Sequence, residues 1–409
     1  MFNEYIKKKK IKEILKSTKE KKRIFGKSHT YYRYPAAFSP IFAETIIRNF
    51  TKPGDTVLDP FVGGGTSAVE ALSLQRKFYG VDVNPLSVLI SKVKTTILSQ
   101  NQIIFIKQFN EKIVNGKINF KSKRKKQHID LNRYFSIQSL PKSEIRKINQ
   151  IKAGIEQYHF AITKVRDVKV RNFLTCLLLK TSKNILDNTR PCGTFKKLKF
   201  DLLSNCKKMI RYMIDFDKEL KKNRSIFGSH NKIKIIKSDI LKLSKINSLK
   251  KGKVKLILTS PPYPGIHISY NKWQLHGRRD TKLPYWIMNS RPPVLTKFTY
   301  RGEKSRRLVD YYRYMTKVYL KLKPYCAYNC YIVKLLSFRN KAKEFRLYRE
   351  AMQNAGLEEI KILKNGDGRL WRIVPKRRWQ VAYSKRKLKS NKEVLLLYRY
   401  KNGAISSEV

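Results

Sequence analysis

The stretch Thr56-Val57-Leu58-Asp59-Pro60-Phe61-Val62-Gly63-Gly64-Gly65-Thr66, followed by Phe78-Tyr79-Gly80-Val81-Asp82, decides the fold. Pro53-Gly54-Asp55 is a turn, Thr56 to Leu58 a short apolar strand, and Gly63 to Thr66 a glycine turn that opens a helix over Ser67 to Leu74. A second strand, Phe78 to Val81, ends at Asp82. Strand, glycine turn, helix, strand and acid in this order make a βαβ unit of the nucleotide-binding kind. The glycines let the backbone approach a ligand closely, and the carboxylate ending the second strand can accept both hydroxyl hydrogens of a ribose. No Gly-Lys-Ser/Thr accompanies the glycines, which argues against a phosphate-cradling loop.

Outward from this unit, Ile41 to Phe50 has a helical pattern and follows Tyr34-Pro35-Ala36-Ala37-Phe38-Ser39-Pro40. Residues 1–30 are read as a basic arm, mobile or a frayed helix. Residues 96–230 change to helical periodicity with many lysines, with helices expected over Ser143 to His159, Lys169 to Leu186 and Lys199 to Leu220, and are read as a helical insertion. Strand signals return at Ile233 to Ile236 and at Lys255 to Leu258, which runs directly into Thr259-Ser260-Pro261-Pro262-Tyr263. A helix over Val309 to Leu322, a strand over Ala327 to Val333, a helix over Arg346 to Ala355 and a strand over Val394 to Tyr400 complete the pattern. Residues 31–95 and 231–409 are therefore expected to form one α/β domain interrupted by the insertion. Residues 264–305, rich in Pro, Arg, Trp and Tyr, are too long for an idle connection and read as a functional loop or lid.

The chain of 409 residues carries 91 Lys+Arg against 29 Asp+Glu, a formal charge of +62. Even after discounting a Lys-, Ile- and Asn-rich background, that field excludes an ordinary neutral metabolic enzyme and points to a polyanion, nucleic acid first. A content of 41% hydrophobic and 11% aromatic residues excludes a wholly disordered chain. The N-terminus has neither a signal-peptide apolar region nor a cleavage site, and no apolar run reaches transmembrane length, so a cytoplasmic protein with no membrane partner is expected. Cys176, Cys192, Cys206, Cys326 and Cys330 are too sparse for a disulfide framework and lack zinc spacing. His267 and His276 belong to no two-histidine, one-carboxylate cluster, so no metal is expected.

Ser260-Pro261-Pro262-Tyr263 has its own chemistry. Consecutive prolines remove two N–H donors and keep carbonyl acceptors. An exocyclic amine of a nucleobase is a poor nucleophile because its lone pair is delocalised into the ring. Accepting its hydrogens on the Ser260 hydroxyl and the Pro261 carbonyl favours a pyramidal nitrogen, while Tyr263 offers a flat face for stacking an extruded base. The mixture Trp273, His276, Arg278, Arg279 and Trp286 suits phosphate clamping and base stacking, and Trp273, Arg278 and Arg279 are the candidate nucleic-acid contacts; a lid packing its own aromatics is an equal reading.

Asp59 to Thr66 resembles motif I, and Thr259 to Tyr263 motif IV, of the DNA amino-methyltransferases that modify cytosine N4 or adenine N6. The resemblance covers about half of the chain, the two sheet segments without the insertion. It implies a Rossmann-like fold with a seven-stranded sheet and S-adenosylmethionine as cofactor. Asp59, Phe61, Gly63, Gly65 and Thr66 would then line the methionine and ribose side, and Asp82 would take the ribose hydroxyls. Ser238-Asp239 resembles motif III, whose acid faces the adenine; Phe38-Ser39-Pro40 resembles motif X, which closes over the methionine end. Leu322-Lys323-Pro324 resembles a later Leu-Lys-Pro-Gly-Gly element, with Tyr325-Cys326 replacing its glycines. The catalytic set is Ser260, Pro261, Pro262 and Tyr263. Ser260 tilts the target toward cytosine N4 in double-stranded DNA; adenine N6 is the near alternative, a tRNA guanine amine a further one, and a non-catalytic binding protein on this scaffold the last. The long insertion leaves the seat of target recognition open, with the basic insertion and the 267–286 segment sharing contact as the preferred reading. A restriction-modification setting, with any endonuclease a separate protein, is the implied context.

Overall fold

The computed structural model describes residues 8–19, 26–34, 39–116, 142–187, 193–228, 232–245, 249–263, 273–275, 279–293, 305–338, 341–363, 366–373 and 392–401. Five strands, β1 (Thr56–Asp59), β2 (Lys77–Asp82), β3 (Ile233–Lys237), β4 (Val254–Thr259) and β7 (Cys326–Ser337), run parallel in the order β3-β2-β1-β4-β7. The sheet continues through the antiparallel β10 (Lys392–Tyr400). The far side of β10 is shared end to end by β8 (Leu357–Ile360), opposite residues 397–400, and β9 (Leu370–Ile373), opposite residues 392–395. The expected seven-position Rossmann-like sheet is present, its last position split between two strands. A separate ribbon pairs β5 (Trp273–Leu275) with β6 (Arg279–Thr281).

Strand alternation sorts the apolar residues onto two faces. Val57, Leu256, Leu258, Val333, Leu335, Leu395 and Leu397 face a core shared with α2 (Pro40–Phe50) and α3 (Thr66–Ser73). Leu58, Ile257, Ile332, Leu336, Val394 and Leu396 face a core shared with α10 (Ser305–Leu322) and α11 (Lys341–Asn354). α1 (Lys8–Lys19) also joins the first core: Ile14 is buried against α2, and Asn49 donates to Glu13 at 2.9 Å. This part of the expected N-terminal arm is therefore a docked helix, because its isoleucines recur on one face among the lysines.

Between β2 and β3 lie α4 (Pro85–Lys94), α5 (Gln100–Val114), α6 (Lys142–Thr163), α7 (Val168–Leu186) and α8 (Phe195–Phe227). Three of these helices were expected with shorter bounds; α4 and α5 were not. α5–α8 do not form an isolated bundle. Their core includes Leu86 and Ile90 of α4, Tyr31 and Tyr32 ahead of the sheet, and Tyr285 and Trp286 of α9 (Leu283–Ile287), and α8 reaches α3 where Phe216 and Leu220 meet Val69 and Leu72. Trp273, expected as a nucleic-acid contact, sits in this helical core at 1% exposure and donates its ring N–H to the Tyr32 hydroxyl at 3.0 Å. Trp286 packs on His159. Both rings serve the reading of a lid that packs its own aromatics, because burial against the helices outweighs their exposure in the segment. Among the described residues no helix is long and apolar enough to cross a membrane.

One core residue departs from the apolar pattern. Lys334 of β7 is fully buried, its ammonium 3.9 and 4.1 Å from the ring centroids of Tyr319 and Tyr398 and beside the Met352 sulfur. Burial holds its pKa well below the ordinary lysine value, opposed by Glu359. The unfolded lysine therefore holds a proton that the folded one sheds, and stability should rise with pH up to about 10.4, the unfolded value. Lys334→Met should remove that slope and add about 1 kcal/mol or more at neutral pH. Urea unfolding at neutral and mildly alkaline pH reads both effects; a less stable variant would show that the tyrosine cage prefers the cation.

Candidate active site

The parallel strands deliver their C-terminal ends to one edge, and the order reverses between β1 and β4, where the connections diverge to opposite faces and leave a crevice. Asp59 ends β1, Asp82 ends β2, Ser238-Asp239 follows β3, and Ser260 follows β4. Motifs 200 residues apart in the chain are thus brought to one rim.

Asp59 is buried at 1% exposure. Its Oδ1 accepts from the Phe61 N–H at 3.1 Å and the Thr259 hydroxyl at 2.8 Å, and its Oδ2 from the Ser67 hydroxyl at 2.5 Å. One carboxylate therefore joins the end of β1, the first turn of α3 and the end of β4. Desolvation nevertheless raises its pKa to about 6, against these three hydrogen bonds. With three hydrogen bonds accepted from inside the fold, Asp59 ties the elements of the site together. Thr259 is legible from sequence only as the first residue of its motif and Ser67 only as a helix residue, since a hydroxyl whose partner is distant in the chain leaves no local signal of that bond.

The glycine turn is held from several sides. Gly63 and Gly65 have φ of +50° and +75°, a region L side chains rarely adopt. A Cβ on Gly65 would lie 2.6 Å from the Ser91 hydroxyl and 2.9 Å from the Ser91 Cα. The Gly63 N–H donates to Asp82 Oδ2 at 3.0 Å, the Val62 N–H to the Val81 carbonyl at 3.0 Å, Ser91 to the Gly63 carbonyl at 3.0 Å, and the buried Lys94 ammonium to the Gly64 carbonyl at 2.8 Å. Burial pushes Lys94 down to about 8. Tyr34 packs over Gly63 and Gly64, its hydroxyl 2.8 Å from Ser87 and 3.2 Å from the Asn84 amide, and Tyr285 donates to Asn84 at 3.0 Å. Tyr34, Asn84, Ser91 and Lys94 were missed from sequence, although Asn84-Pro85 is a legible helix start: the Asn84 side chain caps α4 by accepting from the Leu86 N–H.

Asp82 spends one bond of each oxygen on the Gly63 and Asn84 N–H groups, the latter at 2.8 Å. A carboxylate has about four acceptor sites, and with the Ser87 hydroxyl as a third partner, capacity remains for about one more donor. Desolvation raises its pKa to about 6. The Ser238 N–H donates to the Asp82 carbonyl at 3.1 Å, which places Asp239 beside it; Asp239 Oδ1 accepts from the Leu241 N–H at 3.0 Å and the Tyr314 hydroxyl at 2.9 Å. Phe61 is half-buried against the α10 side of the sheet, Thr66 is the buried first residue of α3, and Ser39 caps α2 through its backbone.

At the β4 end, the Ser260 hydroxyl donates toward the Tyr263 hydroxyl and the Leu335 carbonyl, each at 3.2 Å. Tyr263 donates to Glu393 at 2.9 Å, and Tyr311 donates to the Pro262 carbonyl at 2.8 Å. The half-buried Tyr263 ring is therefore anchored by its hydroxyl, while Tyr311 stiffens the proline pair. Phe38, His267, His276, Arg278 and Lys121 to Lys126 lie outside the described residues, and Arg279 is described by its backbone in β6 alone. Among the described residues, no group of three His, Cys, Asp or Glu could hold a metal ion.

Residues 3–93 match the profile of the DNA methylase family. The chain is 42% identical over 79 residues to the Type II methyltransferase M.MvaI of Kocuria varians, a stretch covering 19% of this chain and 17% of that protein. It is 37% identical over 87 residues to the Type II methyltransferase M.BglI of Bacillus subtilis (20% and 25%), and 35% over 74 residues to M.BsoBI of Geobacillus stearothermophilus (18% and 14%). The matched stretch thus spans a quarter or less of the length of these relatives.

Gly65→Ala should be strongly destabilising. The left-handed backbone costs about 1–2 kcal/mol for an L residue, and the contact with Ser91 adds to it. A lowered denaturation midpoint together with lost ligand binding is the expected outcome, and a variant as stable as the parent would show that the turn relaxes freely.

Proposed function

We propose that this chain is an S-adenosylmethionine-dependent DNA amino-methyltransferase that transfers a methyl group to the N4 amine of a cytosine flipped out of double-stranded DNA, a reading supported by the DNA methylase family match over residues 3–93. The observation that carries the reading is the hydrogen bond from Thr259 to Asp59, which joins the glycine turn to the Ser-Pro-Pro-Tyr segment across the crevice. It sets a nucleoside-binding half and an amine-binding half side by side.

The residues present fit the cofactor. Asp82 has acceptor capacity left for a ribose hydroxyl, Asp239 lies at the next strand end for the adenine, and Gly63 of the glycine turn is half-buried at the rim while its neighbours pack under Tyr34 and Ser91. When bound, S-adenosylmethionine supplies a methyl group made electrophilic by its sulfonium. Aligning an amine for in-line attack then accounts for most of what the protein has to do. Ser260 and the Pro261 carbonyl accept the amine hydrogens, Tyr263 stacks the extruded base, and the proton released after transfer passes to solvent. Phe38 and Ser39 are assigned to the methionine end, Arg278 and Arg279 to phosphates, and the basic helical unit, residues 96–230, to DNA contact and target recognition. Residues 31–95 and 231–409 then form the catalytic domain. Ser260 favours cytosine; adenine N6 is the alternative, and a tRNA guanine amine is a more distant one because the relatives are named as Type II methyltransferases. Those names also support a restriction-modification setting, with which a cytoplasmic location and a separate endonuclease are proposed.

The test is to incubate the protein with S-adenosylmethionine and unmethylated duplex DNA of mixed sequence, digest the DNA, and identify methylated nucleosides by mass. N4-methylcytosine is expected; N6-methyladenine would reassign the base, and no methylated nucleoside would overturn the reading. The pH dependence of cofactor binding supplies a second expectation. Hydroxyl donors prefer the ionised form of Asp82, whose pKa is about 6, so affinity should rise from acid pH through 6 and level off above it. Asp82→Asn should bind more weakly and lose this part of the pH dependence, as read by titration calorimetry.

A further inference from the structure

Glu393 stands outside every motif, yet it ends the hydrogen-bond chain that begins at Ser260. It opens β10, faces Arg372 of β9 directly across the strands, and is buried to 8% exposure. Arg372 donates through Nε at 2.7 Å and through its terminal nitrogen at 2.5 Å, both to Oε2. The other oxygen, Oε1, accepts from Tyr263 at 2.9 Å, and the Tyr263 hydroxyl accepts from Ser260 at 3.2 Å.

We infer that Glu393 is a positioning residue that sets the direction of this chain and so makes Ser260 a hydrogen-bond acceptor toward the target amine; the inference rests on the amino-methyltransferase reading above. An ionised carboxylate can only accept. Tyr263 must therefore spend its one hydrogen on Glu393 and can meet Ser260 only as an acceptor. Ser260 in turn spends its hydrogen on Tyr263 or on the Leu335 carbonyl, both acceptors. Its oxygen meets any further polar group as an acceptor, which is what an amine N–H requires. A carboxylate placed directly at this position would accept unconditionally; a serine needs its proton committed elsewhere and its lone pairs left free, and the Glu393 network, by holding the Tyr263 hydrogen, keeps both lone pairs free while Tyr263 or the Leu335 carbonyl takes the proton. No proton travels along the chain: its function is orientation.

Glu393→Gln tests the direction with almost no change in shape. Because Arg372 only donates, the glutamine oxygen must face Arg372, which turns the amide nitrogen toward Tyr263. The nitrogen donates to the tyrosine hydroxyl, whose proton then turns to Ser260 and occupies a lone pair that the amine would use. With methyl-labelled S-adenosylmethionine and unmethylated plasmid DNA under single-turnover conditions, the transfer rate should fall about ten-fold or more. Cofactor affinity and the denaturation midpoint should stay near the parent values. Tyr263→Phe also breaks the chain while keeping the ring, so the double variant Tyr263→Phe/Glu393→Gln should be no slower than Tyr263→Phe alone. An unchanged rate in Glu393→Gln, a parallel loss of cofactor affinity, or additive losses in the double variant would overturn the assignment. A parent protein that transfers no methyl to the plasmid would overturn the proposed reaction itself, and the role of Glu393 with it.

Discussion

The carboxylate of Asp59 is the constraint on which the site depends. It is almost fully removed from water and takes hydrogen bonds from the chain that follows it, from the first turn of α3 and from the end of β4. An ionisable group buried at this cost is tolerated where its bonds bring together elements that apolar packing alone would leave free to slide. Here those elements are the glycine turn and the Ser-Pro-Pro-Tyr segment, whose relative placement is what a two-substrate reaction needs.

Asp82 repeats the arrangement one strand over. It binds the Gly63 N–H, so the acid proposed to meet the nucleoside also shapes the turn beside it. From the opposite side, Ser91 and Lys94 of α4 hold the carbonyls of Gly63 and Gly64. Two carboxylates and an ammonium, all with pKa values drawn toward neutrality by burial, surround a few residues of bare backbone. Such clustering of shifted groups at a sheet edge is characteristic of a working site, where charge is set close to a ligand and water is kept out.

The helical unit is joined to this edge rather than hung from it. α4 belongs to its core and supplies Lys94, while Tyr34 and Tyr285 meet around Asn84. Any force that shifts the helices against the sheet therefore acts on the glycine turn through α4. At the other end of the rim, the Arg372–Glu393 pair connects the outermost strands to Tyr263 and Ser260, so the antiparallel part of the sheet contributes to the site as well as to the core.

Local sequence determined a good deal. Glycines at positive φ, short continuous apolar runs in β1, β4 and β10, and acids at strand ends are set by backbone sterics and local composition, which neighbouring residues dictate; they made the βαβ unit, the parallel sheet and the positions of Asp82, Asp239 and Ser260 legible. The helices α6, α7 and α8 followed from their period, with ends a few residues off because their caps lie outside the apolar repeat. What tertiary structure decided was which polar atoms meet. Ser67 and Thr259 meet Asp59 only once the sheet has formed; Trp273 reads as a nucleic-acid contact, yet the helical core encloses it; residues 8–19 read as part of an arm, yet Ile14 docks on α2. Tyr34, Lys94 and Glu393 left no pattern at all, because a side chain whose partner is distant in sequence acquires its role only when the sheet closes the distance.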